Sequence, residues 1–125
     1  MNVVDSSAWL EYFSEGPNAS FFAPAIENVD QLAVPTLVSF EVFKHVLLRR
    51  GESLALRASS ALRQGLTVDL DPTLAIGAAR ISATEKLPLA DSIILATARR
   101  LGAQLWTQDS DFSGFENVQF RPRQS

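Results

Sequence analysis

Apolar residues in this chain fall into short unbroken runs and longer periodic ones, and the two kinds alternate. Asn2 to Asp5 reads as a short buried strand, with Val3 and Val4 adjacent and an acid at its end. Ser6 to Phe13 reads as a helix that Ser6 or Ser7 is placed to cap. Ser14-Glu15-Gly16-Pro17 is a break, and Asn18 is positioned to cap a second helix through about Glu27. Leu32 to Val34 is a second strand closed by Pro35. A long helix follows over Thr36–Arg50, with Gly51 as its stop. Leu37, Phe40, Val42, Phe43, Val46 and Leu47 are too many for one narrow stripe, so much of this helix is expected to be buried. Another helix covers Glu52 to Arg63 and ends near Gly65. Leu66 to Leu70 alternates as a strand does. Asp71-Pro72 starts a helix that runs to about Lys86 and is followed by the breaker Pro88. Ala90 to Leu101 is the last helix, Gln104 to Thr107 a strand, and Val118 to Phe120 a final one.

Strands alternating with helices of this length predict an α/β fold whose sheet is mainly parallel and covered on both faces. The absence of repeats, linkers and low-complexity tracts makes residues 1–125 one domain.

Composition narrows the choices. With 46% hydrophobic and 20% charged residues, the chain is globular and not disordered. Without cysteine there is neither a disulfide framework nor a thiolate metal site. No apolar run is long enough to span a membrane, and the start Met1-Asn2-Val3-Val4-Asp5 lacks the basic and apolar regions of a signal peptide. A cytoplasmic protein is expected. The net charge of −3 argues against a protein that coats nucleic acid, but not against an enzyme that binds it locally. Most of the bases are arginine, whose fork can bond two phosphate oxygens; the pairs Arg49-Arg50 and Arg99-Arg100 and the tail's Arg121 and Arg123 also suit a solvated surface.

In an open parallel sheet, ligands bind beyond the carboxyl ends of the strands, where the following helices begin. Asp5 ends the first strand, Glu41 lies in the second turn after the second strand, and Asp91 lies in the first turn of the last helix. Asp109 and Asp111 follow the Gln104–Thr107 strand. Each has an ordinary structural reading as well. Asp5 can cap a helix, Asp91 suits a helix dipole, and Asp109 and Asp111 suit a turn. Glu41, between Phe40 and Val42, is harder to account for structurally. Acids in apolar company need a partner, few bases stand in these segments, and carboxylates forced together raise one another's pKa. A divalent cation resolves this, and hard oxygen ligands select Mg²⁺ or Mn²⁺. Asp71 is accounted for as a helix cap, and Glu11 with the remaining acids as surface or turn residues.

At these same residues the sequence resembles the PIN-domain nucleases, and among them the VapC-type toxins of VapBC toxin–antitoxin pairs. Four segments in order carry the likeness: Val3 to Trp9, Val34 to Val42, Leu89 to Ala98 and Leu105 to Phe112. The resemblance spans nearly the whole chain. It implies a three-layer sandwich around a sheet of four or five strands, a homodimer, and a VapB-type antitoxin partner. It also implies Mg²⁺-dependent hydrolysis of an RNA phosphodiester, leaving a 5′-phosphate and a 3′-hydroxyl. By position, Asp5, Glu41, Asp91 and Asp109 match the family's acidic quartet and metal ligands. Asp111 matches an additional acid found in many members, and Ser7 and Thr107 match hydroxyls that orient the acids. Lys44 departs from the family, which often has a small polar residue there, and three positions beyond Glu41 it is within reach of the site's rim. His45, the only histidine, shares a helix face with Glu41 and is expected to be packed or dimer-facing rather than a base.

Other readings stay open. Asp109-x-Asp111 also suits a Toprim-like or phosphatase-like site, though those usually want a Glu or an Asp-x-Asp at the first strand, where this chain has Asp5-Ser6-Ser7. A receiver-like or flavodoxin-like binding module would use Mg²⁺ only to hold a phosphate, but a receiver wants paired acids in the first loop. A PIN fold without nuclease activity is the remaining alternative. The apolar surplus over Thr36–Arg50 and Glu52–Arg63, including Phe40, Phe43, Val46 and Leu48, places the expected dimer contact there.

Overall fold

The structure is a computed structural model that describes residues 1–124. Its strands are β1 (Asn2–Val4), β2 (Leu32–Pro35), β3 (Leu66–Val68), β4 (Gln104–Thr107) and β5 (Val118–Phe120). They form one sheet in the order β3-β2-β1-β4-β5, with every neighbouring pair parallel. Six helices flank it: α1 (Ser6–Phe13), α2 (Ala19–Glu27), α3 (Thr36–Arg50), α4 (Glu52–Leu62), α5 (Pro72–Glu85) and α6 (Leu89–Leu101). Single 3₁₀ turns at Val29–Gln31 and Ser110–Phe112 are the elements that periodicity did not reveal.

The central strand shows why its sequence is apolar without alternation. Successive strand residues point to opposite faces, and both Val3 and Val4 are 0% exposed, so helices cover both sides of the sheet. At the edge, Leu66 and Thr67 of β3 are exposed and the strand stops at Val68, short of the expected Leu70. The core runs through Trp9, Phe22, Leu32, Val34, Leu95, Leu105 and Phe112. A smaller apolar cluster of Leu74, Ala78, Ile93 and Ala96 joins α5 to α6. Because α6 is pressed between the sheet and α5, every residue from Ser92 to Ala98 is buried. The hydroxyls in that stretch bond to carbonyls: Ser92 Oγ donates to Pro88 O at 2.9 Å and Thr97 Oγ1 to Ile93 O at 2.8 Å.

Three local expectations change. Helix α3 buries only Val38, Val42 and Val46, one stripe at a four-residue spacing, while Phe40, Leu47 and Leu48 face outward. Packing against one layer consumes one face, and the rest of its apolar residues stay on the surface. Helix α1 is capped by Asp5, whose side chain accepts from Ala8 N, and not by Ser6 or Ser7. Asn18 stands at the start of α2 without capping it, because its side chain is engaged elsewhere.

Candidate active site

The strand order reverses beside β1. The chain passes from β1 outward to β2 and β3, then returns to the other side of β1 as β4. Such a switch point leaves a crevice at the carboxyl ends of the two strands, where the connections diverge. Asp5 follows β1 directly, and Asp109 lies two residues after β4. Helix α6 leads into β4, and Asp91 is in its first turn. Topology therefore delivers three segments, distant in sequence, to one edge.

Asp5 is buried and heavily bonded. Thr107 Oγ1 donates to its Oδ2 at 2.7 Å, Ser7 Oγ to its Oδ1 at 2.8 Å, and Ala8 N to Oδ1 at 3.1 Å. Burial nevertheless outweighs these bonds and lifts its carboxyl to about 6, with the charge of Asp109 adding a little. Thr107 reaches further, since its Oγ1 also accepts from Asp109 N at 2.9 Å and so ties the acid after β1 to the acid after β4. Asp109 Oδ1 in turn accepts from Asp111 N at 2.9 Å, which forms the turn Ser110–Phe112.

Asp91, Asp109 and Asp111 each offer a carboxylate oxygen, and those oxygens lie within 4.8 Å of one another. Asp91 is pushed up to about 7, by burial first, then by the charge of Asp109, by a hydrogen bond to Asp111 and its charge, and by Asp5. The one ion pair among the described residues, Arg100 with Asp71 at 2.8 Å, is elsewhere, so no base neutralises this group. Hard oxygens with mutual repulsion and no counter-charge fit a divalent cation. The convergence differs in membership from the expected quartet. Asp111 belongs to it, Asp5 stands beside it with both oxygens occupied, and Glu41 lies apart. Glu41 Oε1 accepts from Ser6 Oγ at 2.6 Å, on the wall of a groove between α1, α3 and α4.

His45 is exposed and lines the same groove, so it is not a packed residue within the subunit. Lys44 stays out of the groove, its Nζ 5.8 Å from the centre of the Phe40 ring.

Sequence reasoning missed a polar lock next to the acids. Asn18 is 0% exposed, and its amide donates to Gln108 Oε1 at 3.0 Å and to Pro122 O at 2.9 Å, while its Oδ1 accepts from Gln124 Nε2 at 2.7 Å. Its backbone N donates at 2.7 Å to Glu11, which is half-buried and not a free surface acid. Gln108 is buried between Thr107 and Asp109, and its N donates weakly to Ser7 Oγ at 3.4 Å. Nothing in the sequence points to partners this remote; the local signal at Asn18 was a helix cap.

The sequence model of one family, described as the PIN domain, matches residues 3–118. No curated protein matches the chain by sequence. Among solved structures, a toxin-antitoxin complex from Klebsiella pneumoniae is similar over 94% of this chain and 95% of that one, with 26% identity and a TM-score of 0.79. VapC20 from Mycobacterium tuberculosis, described as a sarcin-ricin loop cleaving toxin, is 19% identical with a TM-score of 0.76, over 94% of this chain and 98% of that one. A DNA-bound VapBC from Salmonella typhimurium is 12% identical with a TM-score of 0.74, over 97% of this chain and 96% of that one. The last two share the fold.

Proposed function

The chain belongs to the PIN-domain family, and on that footing we propose that it is a metal-dependent endoribonuclease acting as the toxin of a toxin–antitoxin pair. The observation that carries this is the convergence of Asp91, Asp109 and Asp111 at the switch-point edge, beside Asp5, with no base to neutralise them. The similarity to a toxin-antitoxin complex along nearly the whole chain supports a VapB-type antitoxin as partner.

In this reading Asp91, Asp109 and Asp111 hold Mg²⁺ or Mn²⁺, with Asp5 behind them and Glu41 at the groove side. Such an ion, when bound, offsets charge on the phosphate oxygens and makes water more acidic. The chain's own residues supply rigidity. Ser7 and Thr107 fix Asp5, Thr107 fixes the backbone at Asp109, and Asp109 fixes the turn carrying Asp111. Ser6 holds Glu41 toward the groove. A covalent route lacks its parts: the chain has no cysteine, and among the described residues no serine is bonded to His45.

Purified protein free of antitoxin is expected to cut structured RNA with Mg²⁺ or Mn²⁺, leaving 5′-phosphates, and to stop in chelator. Asp109→Asn and Asp5→Asn are expected to abolish cutting, and Asp5→Asn to relieve growth arrest when the chain is expressed alone. Cleavage unchanged in chelator, or equal toxicity of parent and Asp5→Asn, overturns the reading.

A further inference from the structure

The groove that begins at Ser6, Ser7 and Glu41 has a volume of about 900 Å³ and runs between α1 and the α3–α4 pair. Four arginines line it: Arg49, Arg50, Arg57 and Arg123. The chain as a whole is acidic, at −3, so four of its 11 bases in one groove form a local reversal of sign. Several other bases are engaged. Arg100 pairs with Asp71, Arg99 lies over Phe115, Arg121 over Phe21, and Lys44 over Phe40. The four groove arginines are exposed, and none has an acid within ion-pair distance among the described residues. The groove's two acids, Glu41 and Glu11, accept from the neutral donors Ser6 Oγ and Asn18 N and pair with none of the arginines, which outnumber them.

Arg123 reaches this place by construction. Beyond β5, Arg121 N donates to Thr107 O at 3.0 Å, continuing the pairing with β4. Asn18 then grips the tail on both sides of Arg123, through Pro122 O and the Gln124 amide. A fully buried asparagine with its amide and carbonyl all bonded holds the tail in one place without leaving a polar group unpaired. Its effect is to set Arg123 opposite the arginines of α3 and α4.

We propose that Arg49, Arg50, Arg57 and the strapped Arg123 form the phosphate-binding wall that holds the single-stranded RNA leading away from the acidic edge. The inference rests on the nuclease reading and adds where the strand runs. The floor of the groove suits it, since the half-buried Leu10, Phe13 and Leu54 leave apolar and aromatic surface for base faces beside the arginines. Arginine forks bond phosphate oxygens in pairs without reading sequence.

The test is binding of a fluorescein-labelled single-stranded RNA oligonucleotide, measured over a range of salt in chelator with Asp109→Asn protein so that the RNA stays whole. Arg49→Ala, Arg50→Ala, Arg57→Ala and Arg123→Ala are each expected to weaken binding by about tenfold. Each is expected to lower the slope of log affinity against log salt by about 0.7. Arg80→Ala on α5, outside the groove, leaves both unchanged. Gln124→Ala, which loosens the strap, gives part of the Arg123→Ala loss and adds nothing to it in the double variant. The four arginine side chains are exposed, so melting temperatures of the arginine variants stay at the parent's value and report that the fold is intact, whereas Gln124→Ala, which leaves the buried Asn18 Oδ1 unpaired, melts lower. Groove variants that bind and, with Asp109 restored, cut RNA as the parent does overturn the wall while the nuclease reading stands. A parent chain that neither binds nor cuts RNA overturns both. Retained RNA affinity with lost affinity for an oligo-glutamate peptide assigns the groove to a protein partner and overturns the proposal.

Discussion

Three aspartates show how far surroundings govern one side chain. Asp71, on the surface, caps α5 and pairs with Arg100, which holds its carboxyl down at about 2. Asp5 is raised to about 6 by burial despite three hydrogen bonds, and Asp91 to about 7 by burial and neighbouring acids. For Asp5 and Asp91 the folded state holds the proton more tightly than the unfolded chain does, so protonation stabilises. That stability is fully present below about pH 4 and is lost as pH rises through about 6 and 7. Asp71 works oppositely, its contribution fading as pH falls from about 4 to 2. In chelator the melting temperature is therefore expected to fall between pH 5 and pH 8. Asp91→Asn, which keeps the shape without the charge, is expected to melt above the parent at pH 8, by a margin that shrinks toward pH 5. Mg²⁺ then stabilises the parent by mass action, and the variant less. A purely dipolar role for Asp91 predicts the opposite sign in chelator, a slightly lower melting temperature in the variant.

Among the elements, two glycines separate backbone entropy from close packing. Gly77 lies inside α5, and a Cβ there meets nothing within 4 Å. Gly65 precedes β3, and a Cβ there falls 2.8 Å from the backbone oxygen of Leu32. Gly77→Ala is expected to stabilise by about 0.5–1 kcal/mol, since glycine costs that much in a helix interior. Gly65→Ala is expected to destabilise, because β2 or the turn must shift to admit the methyl group. Urea titrations of the two variants read both signs, and a Gly65→Ala midpoint at or above the parent's contradicts the packing seen here. The polar lock obeys a similar logic at the level of connections, as Asn18 joins the start of α2, the loop after β4 and the strap beyond β5.

At the level of the whole molecule, the subunit leaves large apolar residues in water. Phe40 is 63% exposed, Leu48 75%, Ile76 59% and Leu89 77%. Of the residues expected to supply a dimer contact, Phe40 and Leu48 remain available. Val46 is buried within the subunit, and Phe43 packs against its core. We predict a homodimer that uses Phe40, so light scattering at micromolar concentration should return twice the subunit mass, and Phe40→Asp should return the subunit mass. A parent chain that scatters as a monomer contradicts this. No helix among the described residues is long and apolar enough to cross a membrane.

What the sequence determined alone was the kind and order of elements, because strand and helix periods, breakers and caps act within a few residues. β4, β5 and α3 have the bounds that pattern implied. The acids at strand ends were legible for the same reason: in a parallel sheet the position after a strand has a fixed address. Tertiary structure alone decided which of them meet. Asp111 meets Asp91 where the Ser110–Phe112 turn is bonded back to Asp109, while Glu41, bonded to Ser6, is not part of that cluster. It also decided which face of α3 is buried, since a helix packed on one layer hides one stripe whatever its composition. The lock at Asn18 lay beyond any local reading, because hydrogen bonds spanning most of the chain leave no periodic trace in it.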